Sequence, residues 1–238
     1  MDQDESHQGL YRPEFEHDSC GTGFITNING HKSNKIIDDA LTMLENMEHR
    51  GACGCDPETG DGAGILIQLP HEFLMEECSE LEISLPEPGE YGVGMIFFPK
   101  DSTLKKACRT VIANAIEKLG LQKLGYRKIA VNSSAIGETA RKAEPDAEQL
   151  FIQRPHHITN ADDFERKLYV LRRYINKTIT ETLPATAAEY FYFTSLSCKT
   201  IVYKGQVTTY QLRQYFNDLT DPRIASGFAM IHCKIKRL

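Results

Sequence analysis

The hydrophobic residues of the chain follow two different spacings, one typical of helices and one typical of strands. Spacings of three and four predict long helices after Ser33, over 103–119 and over 162–181, and shorter helices from Pro70 and over 209–216. Short apolar runs predict strands at 23–28, 65–69, 91–98, 126–131, 190–196, 200–203 and 227–232. The strands at 190–196 and 200–203 are predicted to pair as a hairpin. Helices and strands that alternate without an internal repeat indicate a layered α+β domain.

The helical spacing also predicts which side chains face the core. In the helix after Ser33 these are Ile36, Ile37, Ala40, Leu41, Leu44 and Met47. In the helix over 103–119 they are Leu104, Ala107, Val111, Ala115 and Leu119. In the helix over 162–181 they are Phe164, Leu168, Leu171, Tyr174 and Ile175.

Composition and charge exclude several classes of protein. The chain has 238 residues, of which 41% are hydrophobic, and a formal net charge of -6, so no binding to nucleic acid is predicted. Its most apolar stretch, 93–98, has the length of a strand, so no membrane span is predicted. The acidic and polar residues 1–19 lack the basic and apolar regions of a secretory signal. The 7 cysteines, an odd number, predict reduced thiols and a cytoplasmic location.

Two segments carry residues that could perform chemistry. Cys20 precedes Gly21 and Gly23 at the start of a strand, where small residues let the backbone approach a ligand. A cysteine beside glycines is also a common small core residue. The segment 48–64, EHRGACGCDPETGDGAG, is rich in glycine and poor in apolar residues, which predicts a long loop of the kind that carries function.

The same loop suggests two further sites, but its pattern completes neither. His49, Cys53 and Cys55 have side chains that bind metals, yet no second pair at zinc-site spacing supplies four ligands, so no metal site is predicted. The glycines of 60–64, GDGAG, suggest a phosphate cradle. This segment lacks the Lys and the Ser or Thr of a P-loop and precedes a strand, so a turn is favoured.

Several separated motifs match one family in order and spacing. They are CGTGF at 20–24, MEHRG at 47–51, GCD at 54–56, GDGAG at 60–64, SLSCKTIVYKG at 195–205, QLR at 211–213 and DLTDP at 218–222. Together they resemble the N-terminal part of the glutamate synthase large subunit, a class II glutamine amidotransferase. The resemblance implies the fold of the N-terminal nucleophile hydrolases, a four-layer αββα sandwich. It also implies a cleavable leader over 1–19 and an amidotransferase domain over 20–238.

The resemblance assigns catalysis to Cys20, which removal of the leader would leave with both a thiol and a free α-amine. An α-amine with a pKa of about 8 can accept the thiol proton, and the thiolate is the effective nucleophile. Attack on the side-chain amide of L-glutamine would release ammonia and leave a thioester that water cleaves to glutamate. Arg50 is implied to support this pocket. A structural pairing of Arg50 with Asp56 or Asp61 suits the residue types equally well.

The family also implies partners outside this chain. The ammonia passes to 2-oxoglutarate in synthase domains, which are expected to carry FMN and an iron–sulfur cluster. This chain itself is expected to carry no cofactor. A small electron-donating subunit is a further expected partner.

The sequence departs from the family near its C-terminus. After 228–232 the family continues with Ser-Arg-Phe-Ser-Thr-Asn, whose Arg holds the glutamine carboxylate, whereas this chain continues with CKIKRL. Lys234 stands at the Arg position and cannot form the two-pronged contact of a guanidinium. We therefore expect a domain that is incomplete at its C-terminus and shows no glutaminase turnover alone. A truncated, non-catalytic interaction module that retains the fold is the alternative that the sequence leaves open.

Overall fold

The computed structural model describes residues 19–48, 60 and 62–235. The strands are β1 (Ser19–Thr26), β2 (Ala63–Gln68), β3 (Tyr91–Phe98), β4 (Gln122–Lys128), β5 (Asp146–Gln153), β6 (Tyr192–Ser197), β7 (Thr200–Gly205) and β8 (Phe228–Ile235). The α-helices are α1 (Asn34–Glu45), α2 (His71–Ser79), α3 (Ser102–Lys118), α4 (Glu138–Lys142), α5 (Ala161–Thr182), α6 (Ala185–Tyr190) and α7 (Thr209–Tyr215). Short 3-10 turns lie at Ser133–Ala135 and Asn217–Thr220. Within these ranges, no helix has the length and apolar character needed to cross a membrane.

The strands form two antiparallel sheets, which confirms the predicted mixture of α and β structure. Sheet 1 has the strand order β1-β8-β2-β7, and sheet 2 has the order β4-β5-β3-β6. The last strand that the structure describes, β8, therefore lies between β1 and β2. Ile231 of β8 is the Cα partner of Gly23 on one side and of Ile65 on the other.

One hydrophobic core joins the two sheets. Sheet 1 contributes Ile65 and Tyr203, and sheet 2 contributes Val93 and Phe151. Further buried residues of this core come from the inward face of α1: Ile36, Ile37, Ala40, Leu41 and Leu44. Met47 packs against the same core and is partly buried. These residues confirm the predicted inward face of the first helix.

A second core covers the other face of sheet 2. Ile96, Phe98, Leu150 and Ile152 of the sheet pack with residues of α3, α5 and α6. From α5 the buried residues are Phe164, Leu168, Leu171, Ile175 and Ile179. Sheet 1 differs, because apolar side chains are exposed on the face of the sheet that carries Phe24 and Met230. Phe24 is 58% and Met230 is 48% accessible to solvent.

The predicted hairpin between β6 and β7 is wrong. β6 pairs with β3 in sheet 2, whereas β7 pairs with β2 in sheet 1. Between β6 and β7, side chains take the place of backbone partners. Thr194 Oγ1 donates to the carbonyl of Val202 at 2.7 Å, and the N–H of Val202 donates to Ser195 Oγ at 3.1 Å. The turn between these strands therefore joins the two sheets instead of extending one of them.

The predicted buried side of α3 is also partly wrong. Ala115 is buried as predicted, but the other fully buried residues are Cys108, Ile112 and Ile116. The predicted Leu104, Ala107, Val111 and Leu119 are only partly buried. α3 packs against both sheet 2 and α5, so its buried stripe is set by two neighbours instead of one.

β5 was not predicted, because its sequence begins with polar residues. In the fold, Glu148 of this strand is buried and forms ion pairs with Lys105, at 2.8 Å, and with Arg109 of α3.

β4 begins four residues earlier than the predicted strand at 126–131, with residues 122–128 in the strand. It is the edge strand of sheet 2, so its polar residues can face solvent.

Candidate active site

Cys20 lies near the beginning of β1, the edge strand of sheet 1. The ladder with β8 places its Cα opposite that of Lys234 and places Thr22 opposite His232. Side chains alternate across a strand, so these four residues share one face of the sheet. All four are exposed on that face.

Gly23 allows the helix that follows β1 to pack closely against the strand. A Cβ at Gly23 would lie 2.7 Å from Cε of Met43 in α1 and 2.9 Å from Cγ1 of Ile231. Its position on the strand directs it away from the face that carries Cys20. The sequence predicted that a ligand approaches the backbone here, but at Gly23 the close approach is made by α1 and β8.

A cavity of about 710 Å³ opens on the face that carries Cys20. Strands β2 and β8 contribute to its lining, as do Phe97 and Tyr192 of sheet 2. Its polar and charged side chains are Thr22, Tyr192, Lys204, Gln206, His232 and Lys234. Thr22 and Lys234 mark the end nearest Cys20, because Cys20 pairs with Lys234 and lies two residues before Thr22. Among the residues that the structure describes, no Asp or Glu lines this cavity.

Cys20 differs from the other described cysteines in being exposed. Cys78, Cys108, Cys198 and Cys233 are buried. Burial raises the pKa of the Cys78 and Cys198 thiols to about 12 and that of the Cys108 thiol to about 11. Burial likewise raises the pKa of Cys233, which lies on the opposite face of sheet 1 from Cys20. Since the thiolate is the nucleophile, the buried thiols are inert near neutral pH, and Cys20 is the accessible one of this set.

The fold brings one of the two predicted supporting residues to Cys20. Lys234 is its partner across the ladder, and the N–H of Lys234 donates to the carbonyl of Gly62 at 2.9 Å. Gly62 has a φ of 139°, a conformation that glycine adopts readily and other residues avoid. Arg50 lies outside the described residues, and so do His49, Cys53 and Cys55.

Two glycines of GDGAG have packing reasons for being glycine. A Cβ at Gly60 would lie 2.2 Å from the carbonyl carbon of Val207 and 2.3 Å from the nitrogen of Thr208. A Cβ at Gly64 would lie 2.7 Å from Cβ of Lys204. Both glycines therefore let this segment lie against the chain around β7. Ala63 and Gly64 belong to β2, and Asp61 lies outside the described residues, so the turn at this segment stays a prediction.

The segment DLTDP, which had no assigned role, contributes to a buried ion-pair network. Nη1 and Nη2 of Arg127 donate to the two carboxylate oxygens of Asp218 at 2.8 and 2.9 Å. Tyr203 Oη also donates to Asp218, at 2.9 Å, and Arg127 donates to Glu77 at 2.8 Å. These contacts connect both sheets with α2, so the motif stabilises the fold and does not line the cavity.

Three residues of the cavity, Thr22, Lys204 and His232, received no role from the sequence. Lys204 occurs in a matched motif and His232 in a predicted strand, but the pattern along the chain does not reveal that they face the same cavity as Thr22. The sequence could have indicated only that His232 and Lys234 share a face of β8, because they are two positions apart and alternate residues of a strand point the same way.

The described residues contain no group of three or more His, Cys, Asp or Glu side chains that could hold a metal ion.

The chain is similar to proteins of known families along most of its length. Residues 20–236 match the family model described as glutamine amidotransferases class-II. The chain is 43% identical over 228 residues, 95% of its length, to the glutamate synthase [NADPH] large chain of Bacillus subtilis (strain 168). It is 38% identical over 232 residues to the glutamate synthase [NADH] of Schizosaccharomyces pombe, again over 95% of its length. It is 36% identical over 217 residues, 91% of its length, to the ferredoxin-dependent glutamate synthase 2 of Synechocystis.

These relatives are much longer than the matching region. The chain spans 14% of the Bacillus protein, 11% of the Schizosaccharomyces protein and 13% of the Synechocystis protein.

Proposed function

The chain belongs to the class II glutamine amidotransferase family, and on that basis we propose that it is the glutamine-hydrolysing part of a glutamate synthase. Its substrate is L-glutamine, and its products are glutamate and ammonia. The exposed Cys20 thiol beside the cavity is the single observation that carries this proposal.

Cys20 acts as the nucleophile. Its thiolate attacks the side-chain carbonyl carbon of glutamine, the carbon–nitrogen bond breaks, and ammonia leaves with the proton that the thiol gave up. Water then attacks the resulting thioester, which releases glutamate and restores the thiol. Covalent catalysis of this kind divides one difficult hydrolysis into two easier steps.

Removal of residues 1–19 provides the base for the first step. In the uncut chain the nitrogen of Cys20 is an amide and cannot accept a proton. After cleavage it is an α-amine with a pKa of about 8, which can accept the thiol proton near neutrality. The residues ahead of Ser19 lie outside the described part of the structure.

Lys234 binds the substrate, and Arg50 supports the pocket of the nucleophile. Lys234 lies opposite Cys20 on the ladder, where an ammonium group can attract the carboxylate of glutamine. Arg50 is proposed from the family motif alone. The sheets and helices are proposed to form the four-layer αββα sandwich of the N-terminal nucleophile hydrolases, incomplete at its C-terminus. Phe24 and Met230 are exposed on the face of sheet 1 that also carries Cys20 and the cavity.

The remaining parts of the proposed enzyme use the ammonia. Synthase domains transfer it to 2-oxoglutarate with FMN and an iron–sulfur cluster, and a small subunit supplies electrons. This chain matches only a small share of each relative, and the rest of each relative is long enough to contain those domains. We place the enzyme in the cytoplasm, since the cysteines that the structure describes are free thiols.

The proposal is tested with a diazoketone analogue of glutamine, which alkylates an active thiolate with loss of nitrogen gas. Two forms of the chain are compared by intact and peptide mass spectrometry: the complete 238 residues, and a form that begins at Cys20. The form with a free α-amine is expected to be alkylated at Cys20 about 10² times faster or more, the usual contribution of a positioned base.

Two variants control for the identity of the thiol. Cys20→Ala is expected to abolish labelling, whereas Cys233→Ala is expected to preserve it, because Cys233 is buried on the opposite face. Labelling at equal rates with and without the leader would contradict the role of the α-amine. No labelling of either form would favour the non-catalytic interaction module.

A further inference from the structure

Lys204, Gly64 and His232 form a row across three neighbouring strands of sheet 1. Gly64 on β2 is the Cα partner of Lys204 on β7 and of His232 on β8. The register places all three on one face, and all three line the cavity. A strand spacing of about 4.8 Å puts the two outer Cα atoms roughly 10 Å apart.

Gly64 leaves bare backbone between the two basic residues. Its absent Cβ would lie 2.7 Å from Cβ of Lys204, so the course of the lysine side chain requires glycine at this position. The surface between Lys204 and His232 therefore carries no side chain. A ligand can lie directly against the backbone of β2 there.

The ammonium group of Lys204 is held in place by an aromatic residue. Its Nζ donates to Tyr192 Oη at 2.7 Å and lies 4.5 Å from the centroid of the same ring. No described Asp or Glu forms an ion pair with Lys204, and none lines the cavity. A positioned cation beside an apolar surface attracts an anion more strongly than one in open solvent does.

We propose that this row binds a small dicarboxylate. One carboxylate contacts the Lys204 ammonium, the other contacts the imidazole of His232, and a short aliphatic chain crosses Gly64. The two Cα atoms lie roughly 10 Å apart, so a ligand with a short aliphatic chain can place one carboxylate at each basic residue. The site shares the cavity but does not include the Cys20 thiol, so it extends beyond the glutaminase chemistry.

Glutarate is the probe, and it is titrated into the complete chain while the backbone amide signal of Gly64 is followed by nitrogen-15 NMR. A saturable shift is expected for glutarate and none for glutaramide, its uncharged analogue. Lys204→Met and His232→Gln are each expected to weaken binding about tenfold or more, the typical effect of losing a charge-assisted hydrogen bond. Lys204→Arg keeps the charge and is expected to restore most of the affinity over Lys204→Met.

Two controls separate this site from other effects. Lys177→Met removes an exposed lysine of α5, and Cys20→Ala removes the proposed nucleophile; both are expected to bind glutarate like the unmodified chain. Retained binding in Cys20→Ala makes the result independent of whether glutamine is hydrolysed. Thermal melting of each variant confirms that it is folded. Equal response to glutaramide, no saturable shift, or unchanged affinity in both Lys204→Met and His232→Gln would overturn the proposal.

Discussion

The buried pair of Arg127 and Asp218 permits a quantitative prediction of stability. Arg127 is 5% exposed and Asp218 is 4% exposed. The Asp218 carboxylate accepts two hydrogen bonds from Arg127 and one from Tyr203, at 2.8 to 2.9 Å. Asp218→Ala removes all three and leaves a buried guanidinium with one carboxylate fewer.

The expected cost follows from what remains around the guanidinium. Breaking a buried ion pair on one side typically costs about 3–5 kcal/mol. Arg127 would keep Glu77, at 2.8 Å, and Gln149, at 3.1 Å, so a loss of about 3 kcal/mol in the free energy of unfolding is expected for Asp218→Ala. In the double variant Arg127→Met with Asp218→Leu no charge of the pair stays buried, so it is expected to be more stable than Asp218→Ala alone.

Urea unfolding followed by far-ultraviolet circular dichroism measures these differences, since the chain has no tryptophan for fluorescence. With a slope of about 2–3 kcal/mol per molar urea, Asp218→Ala should lower the midpoint by about 1 M or more. Glu181→Ala is the control. It breaks the exposed pair of Lys177 and Glu181 and should cost less than about 1 kcal/mol. A cost below about 1 kcal/mol for Asp218→Ala, or a double variant that is less stable than it, would refute the reasoning.

Two further predictions concern packing and pH. Gly60→Ala should lower the free energy of unfolding by about 1–3 kcal/mol, because the new Cβ would overlap the backbone of Val207 and Thr208, whereas Gly205→Ala, whose Cβ would make an ordinary contact at 3.7 Å, should cost less. Equal urea midpoints for the two variants would contradict this. Burial raises the pKa of Glu144, but hydrogen bonds from Lys100, Ser133 and Tyr215 outweigh burial and lower it below its ordinary value. The carboxylate therefore stabilises the protein above the ordinary carboxyl pKa of about 4.3, and this contribution is lost as the pH falls through the lower folded-state pKa. Between about pH 6 and pH 3 the urea midpoint of Glu144→Gln should fall less than that of the unmodified chain; parallel declines would show that Glu144 is not responsible.

Local sequence patterns were sufficient for the elements whose neighbours impose a simple periodicity. β3 occupies 91–98 as predicted, and α1 buries the side that its apolar spacing indicated. β5 escaped prediction because Glu148 is buried by pairing with Lys105 and Arg109, which lie 43 and 39 positions away along the chain (148 − 105 and 148 − 109). A hydrophobic pattern cannot represent a charge that is neutralised by a distant helix.

The candidate nucleophile was identified by the sequence, but its surroundings were not. The order and spacing of the motifs around Cys20 pointed to the family before any contact was known. The sequence alone does not distinguish the other cysteines by the reactivity of their thiols. Burial in the fold distinguishes them, because desolvation disfavours the thiolate of Cys78, Cys108, Cys198 and Cys233.

Strand order was decided by tertiary structure alone. β8 inserts between β1 and β2, and this pairing sets Lys234 opposite Cys20 and His232 opposite both Thr22 and Gly64. Tertiary structure also places β6 and β7 in different sheets, although they are adjacent in the chain. The period of side chains along a strand determines which residues share a face, and it was available in the sequence. Which strands lie side by side depends on the apolar area and hydrogen bonds of the complete sheets, which no local segment contains.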